Sequence, residues 1–337
     1  MCAALAGNPD IEVIGTAPDG PIALGRIPTM KPDVVTLDVE MPGMDGIQTL
    51  KEIRRLHPTL PVIMCSAITD AGAAITLEAL SLGASDYVTK PHSEGLEAAA
   101  LHLRGELVAR ILALVPRSKI PPPHKPIFLP RRKAAAHRVD IVAIGTSTGG
   151  PNALAQVLPH LAADFPVPVV VVQHMPRTFT RLLAERLNAL CSLNVREAEA
   201  GAPVRPGTVW LAPGDYHLVI ERLRTGVIVG LNHDEPENSC RPAVDVLFRS
   251  VAAAFGPFSL GVVMTGMGAD GARGAEGIRE AGGQVFVQDE ASSTVWGMPG
   301  AVVQAGAADK ILPLHEIGPE IVHRVALGRV LEAVAKA

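Results

Sequence analysis

The chain has 337 residues, of which 48% are apolar, 19% charged and 3% aromatic, with 32 glycines and 29 prolines. That length suits two domains, and that apolar fraction excludes disorder throughout. A net charge of −4 without a long basic run argues against nucleic acid as the main partner, and 4 cysteines without metal-type spacing are too few for a disulfide framework.

No run reaches the roughly 18 apolar residues of a membrane span. The opening MCAALAGNPDIE has no basic region followed by an apolar stretch, so no secretion signal is expected. Reduced cysteines and a cytoplasmic location without membrane insertion follow as expectations.

Short β-branched runs alternate with helical stretches in both halves, the pattern of doubly wound α/β domains. In the first half, strands are predicted at 12–15, 34–37, 62–65 and 87–89. A helical pattern runs over 93–114, with Leu96, Ala100, Leu103, Leu107 and Ile111 at near-helical spacing. Residues 115–138 are rich in proline, which fixes φ and removes backbone donors, so they predict a linker; Arg131, Arg132 and Lys133 fall within it. In the second half, strands are predicted at 141–144, 167–172, 209–211, 260–264, 284–287 and 310–312. Helices are predicted at 151–160, 178–190, 243–254 and 270–281, and a hairpin at 216–232. The expected domains are 1–92, a helix and linker over 93–138, and 139–337.

In the first half, VVTLDVEMPGMDG carries a buried apolar run to Asp38, VIMC leads into Ser66, and YVT into Lys90 and Pro91. In open α/β sheets, ligands bind outside the carboxyl ends of strands. An acid, a hydroxyl and a lysine at three successive strand ends can converge on one phosphoryl group, the carboxylate accepting it and the other two holding its oxygens. Each residue alone fits a turn, cap or surface role; the ordered trio favours the site.

Residues 8–91 resemble response-regulator receiver domains: LDVEMPGMDG matches the phosphoacceptor loop, CSA the switch hydroxyl and VTKP the lysine–proline pair. The resemblance implies a flavodoxin-like fold, phosphorylation at Asp38, a switch at Ser66, a phosphate contact at Lys90 and a cis bond before Pro91. It also implies Mg²⁺, which receivers hold with an acidic pair on a first strand. That strand is not in this sequence, which begins inside the expected first helix. The receiver is therefore expected to be truncated and to lack a central strand. Asp38 and the Glu40 carbonyl would form a partial metal site, completed only by upstream residues.

In the second half, IVAIGTSTGGP places Gly145, Thr146, Ser147, Thr148 and Gly149 in a G-x-S-x-G elbow between strand and helix. Such a turn exposes the hydroxyl and directs helix-start amides at an oxyanion. A glycine-rich loop there can also cradle phosphate, but the Walker lysine and G-x-G-x-x-G are missing. The strand of VPVVVVQHMP ends at His174, and SLGVVMTGMGADG leads to Asp270 in a glycine-rich loop. Alone, His174 reads as structural and Asp270 as a helix cap. Together the three lie beyond carboxyl ends of strands on one sheet edge, as a nucleophile, base and orienting acid must. His217 and His233 compete for the base and Asp245 for the acid. Their places in the hairpin, the loop after it and a helix rank them lower.

Residues 140–325 resemble the catalytic domain of the chemotaxis protein-glutamate methylesterases. IGTSTGGP, QHMP with FTRLLAERLN, LAPGDYH, RPAVDVLF, MTGMGADGA and QDEASSTVWGMPGA carry the likeness in order. With the receiver, the resemblance covers nearly the whole chain and implies a Rossmann-like second domain. It implies hydrolysis of glutamate methyl esters on chemoreceptors, with deamidation of receptor glutamines by the same chemistry. It carries over Ser147, His174 and Asp270 as the triad, backbone amides of Thr148 and Met267 near the oxyanion, and no cofactor for catalysis. Methyl-accepting chemoreceptors are the expected substrates and a chemotaxis histidine kinase the phosphodonor. An unphosphorylated receiver is expected to cover the active-site edge.

Overall fold

The computed structural model describes residues 2–5, 7–67, 69–90, 96–115 and 138–336. The chain divides into two compact units, Met1–Pro123 and His124–Ala337. The expected linker at 115–138 lies, apart from its ends, outside the described residues, as does Pro91.

The first unit runs α1 (Cys2–Leu5), α2 (Gly20–Met30), β1 (Val35–Asp38), α3 (Gly46–Leu56), β2 (Val62–Ala67), α4 (Asp70–Ser81), β3 (Asp86–Lys90) and α5 (Leu96–Leu114). Its sheet is parallel, in the order β1-β2-β3. β2 is buried along nearly its whole length, as expected of a strand covered on both faces. Asp45 starts α3 by accepting the Gln48 amide at 2.7 Å, and Leu50 and Ile53 turn inward.

The strand predicted at 12–15 does not form. Val13 and Ile14 are 43% and 44% exposed, and among the described residues β1 pairs with β2 alone. Apolar alternation gives extended chain there, but a strand needs a neighbour to satisfy its amides and carbonyls. Residues 11–16 lie along a space of about 440 Å³ beside β1, also lined by Leu37 and Ile111.

The second unit holds β4 (Ile141–Thr146), α6 (Gly150–Val157), β5 (Val169–Gln173), α7 (Arg177–Leu190), β6 (Asn194–Glu197), β7 (Thr208–Leu211), the antiparallel pair β8 (His217–Leu223) and β9 (Gly226–Asn232), α8 (Val244–Phe255), β10 (Ser259–Val263), α9 (Ala272–Glu280), β11 (Gln284–Gln288), α10 (Gly297–Gln304), β12 (Lys310–Leu312) and α11 (Leu314–Lys336). The seven-stranded sheet is parallel throughout, in the order β12-β11-β10-β4-β5-β7-β6.

β4, β5 and β10 are buried at every position, so apolar runs without alternation become central strands between helical layers. Phe248, Val251, Ile278 and Val285 pack with them in the main core. From β4 the chain builds outward through β5, then returns to the other side of β4 at β10. The strand order therefore reverses at β4, which opens a crevice beyond the carboxyl ends of β4, β5 and β10. The doubly wound reading and the hairpin hold. The sequence reading missed β6, an edge strand with a weak burial pattern, together with α10 and α11.

Candidate active site

The crevice gathers the three residues of the second half. Thr146 and Gln173 are partners in the β4–β5 register, so Ser147 and His174 leave adjacent strands side by side. The His174 amide donates to the Thr146 carbonyl at 3.1 Å, fixing that exit.

Gln173 ties the two loops together. Its side-chain amide donates to the Ser147 carbonyl at 2.9 Å and to the His174 carbonyl at 3.2 Å, while its oxygen accepts from the Thr146 hydroxyl. Gly150 permits this: a Cβ there would stand 1.8 Å from Thr146 Oγ1 and 1.9 Å from Gln173 Oε1. Gly149 has φ of 78°, the left-handed conformation an elbow requires, with Thr294 Oγ1 only 2.4 Å from where its Cβ would lie.

Thr265, two residues past the end of β10, clamps the elbow. Its carbonyl accepts the Ser147 amide at 3.0 Å, and its hydroxyl donates to the Thr148 carbonyl at 2.8 Å. The Ser147 amide is therefore engaged and not free for an oxyanion. Gly266 passes so close that a Cβ on it would sit 2.8 Å from Ser147 Cβ, which brings Met267 to the elbow. The Met267 N–H has no acceptor among the described residues.

Asp270 is 2% exposed and saturated with donors. Its Oδ2 accepts His174 Nε2 at 2.8 Å and the Val244 amide at 2.6 Å. Its Oδ1 accepts the Asn238 side-chain amide at 2.8 Å and the amides of Asp245 and Gly271, each at 3.0 Å. The predicted helix cap is thus real but belongs to another helix. Gly271 precedes α9, whereas Asp270 satisfies the first amides of α8, whose own N-cap, Ala243, supplies no side chain. Burial opposes the charge on Asp270, but His174 and these amides hold its carboxyl below the usual range. For His174, burial opposes the imidazolium, but bonds to Asp270 and Cys240 hold the ring above the usual imidazole range.

An ionised Asp270 only accepts, so Nε2 keeps its proton, and once the ring is neutral it is Nδ1 that presents a lone pair. Cys240 Sγ lies 3.6 Å from that Nδ1. Cys240 arrives on a tight turn: Glu237 and Cys240 pair across Asn238 and Ser239, whose φ values of 53° and 61° match a type I′ turn. Arg249 fixes the turn through Glu237 at 2.7 and 2.6 Å.

The competing residues fall elsewhere. His217 is fully buried, accepting the Ala243 amide at 3.2 Å and donating to the Glu235 carbonyl at 3.1 Å. The His233 ring packs on Tyr216. Asp245 sits inside α8, accepting the Gly274 amide at 2.6 Å and the Asn238 side chain at 2.9 Å. Burial raises its pKa despite these bonds. Two arginines are engaged locally: Arg181 pairs with Glu185 at 2.8 Å, and Arg241 donates to the Asp234 carbonyl at 3.0 Å. Gln173, Thr265, Asn238 and Cys240 were not singled out from sequence. The first two lie within quoted motifs; nothing local marks the others.

In the first unit, Lys90 Nζ reaches Asp38 Oδ2 at 2.5 Å, so two of the three predicted residues meet. Ser66 lies one residue beyond Cys65, the register partner of Asp38, but its hydroxyl bonds to the carbonyls of Gly72 at 3.1 Å and Ala67 at 3.3 Å. The Glu40 amide donates to Asp38 Oδ1 at 3.3 Å. Among the described residues, Asp38 is the one carboxylate joined to this cluster, with one oxygen on Lys90 and the other on the Glu40 amide. Mg²⁺ demands near-octahedral oxygen donors, so the described residues do not fit it by themselves.

Residues 142–321 match the CheB methylesterase family model, and residues 1–101 the response regulator receiver domain model. A protein-glutamate methylesterase/protein-glutamine glutaminase of Trichodesmium erythraeum is 50% identical over 323 residues, spanning 94% of this chain and 92% of that protein. One so named from a Nocardioides species is 48% identical, spanning 96% and 91%. The crystal structure of the Thermotoga maritima CheB methylesterase catalytic domain superposes with a TM-score of 0.54 at 42% identity, covering 55% of this chain and 98% of that one. Among the described residues, no helix is long and apolar enough to cross a membrane.

Proposed function

Because this chain belongs to the family of protein-glutamate methylesterases/protein-glutamine glutaminases that carry a receiver domain, we propose that Ser147, His174 and Asp270 hydrolyse methyl esters of glutamate on chemoreceptors. The observation that carries the assignment is the 2.8 Å contact from Asp270 to His174, with Ser147 leaving the adjacent strand.

Asp270 fixes the tautomer, so the accepting nitrogen is Nδ1. His174 Nδ1 takes the Ser147 proton as Oγ attacks the ester carbonyl, and the oxyanion that forms is met by main-chain amides, those of Met267 and Thr148. The C–O bond to the methoxy group breaks, and His174 returns the proton so that methanol leaves. Water, deprotonated by the same nitrogen, then cleaves the glutamyl-serine ester and regenerates Ser147. With a glutamine substrate the leaving group is ammonia. Asp270 stays ionised and stabilises the imidazolium. No step requires a metal.

Asp38 is the proposed phosphoryl acceptor, with a chemotaxis histidine kinase as donor. The 2.5 Å contact between Lys90 and Asp38 supports a role for Lys90 in binding the incoming group; Ser66 would first have to leave Gly72 to reach it. The phosphorylated receiver raises esterase activity as a shift between two states. A second reading, an esterase indifferent to phosphorylation, is favoured by the single-carboxylate donor set around Asp38.

Acid quenching during turnover of a methylated receptor peptide, followed by peptide mass mapping, tests the mechanism. A glutamyl adduct on the peptide containing Ser147 supports it, and an adduct on another residue overturns it.

A further inference from the structure

We infer that His174 and Cys240 form a binding site for a thiophilic divalent cation of the Zn²⁺ class, and that the bound ion switches the esterase off. The inhibitory half rests on the proposed role of His174; the binding half does not.

Three observations converge. First, His174 Nδ1 and Cys240 Sγ stand 3.6 Å apart. Two ligands on one tetrahedral zinc, nitrogen at about 2.1 Å and sulfur at about 2.3 Å, are separated by roughly 3.6 Å. The pair is thus spaced for a shared ion without moving the backbone. Second, Asp270 holds the far nitrogen of the ring at 2.8 Å. A carboxylate on the opposite nitrogen is the usual support of a metal-binding histidine, because it fixes the ring and leaves the other nitrogen as lone-pair donor. Third, His174, Cys240 and Asp270 are the one group of three His, Cys, Asp or Glu residues among those described whose ligand atoms lie within 4.8 Å of one another.

Asp270 is the support and not a ligand, since its two oxygens already accept five donors. Two protein ligands leave the other positions to water or a substrate oxygen. Binding displaces the thiol proton to solvent and joins sulfur and nitrogen to the ion, with no change of oxidation state. The ion then occupies the lone pair that must take the Ser147 proton.

The test uses the full chain and Co²⁺ or Zn²⁺ as the only added probes. Co²⁺ should give a thiolate-to-cobalt charge-transfer band that saturates at one equivalent and is displaced by Zn²⁺. The band should vanish in Cys240→Ser and in His174→Ala, each checked for native circular dichroism, and persist in Cys191→Ser. Zn²⁺ should suppress methanol release from methylated receptor at least tenfold, and a chelator should restore it. Cys240→Ser, whatever its own rate, should need at least ~10-fold more Zn²⁺ for the same suppression. No band in the unsubstituted chain, or a band that survives Cys240→Ser, overturns the site. A normal band with undiminished methanol release overturns the inhibition. If no form releases methanol while the band behaves as stated, the esterase reading fails and the metal site stands.

Discussion

Val244 and His174 share one oxygen of Asp270, at 2.6 and 2.8 Å. The acid that orients the proposed base is also the N-terminal cap of α8. Chemistry and stability are therefore coupled at one side chain. Asp270→Asn should reduce kcat by roughly 10³–10⁴-fold, because an amide can accept from only one oxygen and lets the imidazole take the wrong tautomer. It should also destabilise the second unit by about 1–2 kcal/mol through the weakened cap. Steady-state kinetics and thermal unfolding of the same sample check both. A loss of activity without loss of stability would separate the two roles.

The raised pKa of His174 sets a pH dependence. The neutral ring is the proposed base, so kcat/KM should rise with pH, with an acid limb above the ordinary imidazole value of about 6.5. For stability the sign is opposite. A group raised in the fold contributes fully below about 6.5 and loses that contribution as pH rises through its folded value. Asp270, held low, contributes above about 3.9 and loses it as pH falls through its own folded value. Asp270→Asn should shift the acid limb downward and flatten the alkaline loss of Tm. A limb unmoved by that change would contradict the pairing.

Asn238 bonds to both Asp245 and Asp270 through one amide nitrogen, at 2.9 and 2.8 Å, from a left-handed backbone. Asn238→Ala removes both bonds and places a residue with no local compensation at positive φ, costing about 2 kcal/mol. Asn238→Gly keeps the turn and loses the bonds. The glycine variant should regain only the backbone share of the stability lost in the alanine variant, and little of the lost activity. Parallel unfolding and rate measurements on the two variants decide it.

Asp38→Asn removes the proposed phosphoryl acceptor, and Lys90→Ala its 2.5 Å partner. Stimulation of methanol release by acetyl phosphate should disappear in the first and fall at least ~10-fold in the second, as expected for the loss of a charge-assisted phosphate contact. Equal rates with and without donor in the unsubstituted chain would favour the phosphorylation-independent reading.

The parts of this molecule governed by local pattern were legible in the sequence. Unbroken apolar runs such as VVVV at 169–172 are strands buried on both faces, and the glycines at 149 and 150 mark a turn that nothing larger could make. Ser147, His174 and Asp270 could be placed on one edge because each follows such a run. Residues 12–15 show the limit: their alternation is that of a strand, but pairing depends on a neighbour that local pattern does not supply. Edge strand β6 was missed because its four residues bury weakly. Asn238 and Cys240 were invisible for another reason. They reach the site across 32 and 66 residues of chain, on a turn whose polar sequence reads as loop. Asp270 carried a cap signal, but the sequence could not tell that α8, not α9, receives it.

The most direct test of the central claim is methanol release from methylated chemoreceptor membranes by this chain and by Ser147→Ala. Release by the first and a fall of at least ~10⁴-fold in the second, with Tm unchanged, is the result expected of a serine nucleophile. Release that persists in Ser147→Ala, or that is absent from correctly folded unsubstituted protein, would contradict it.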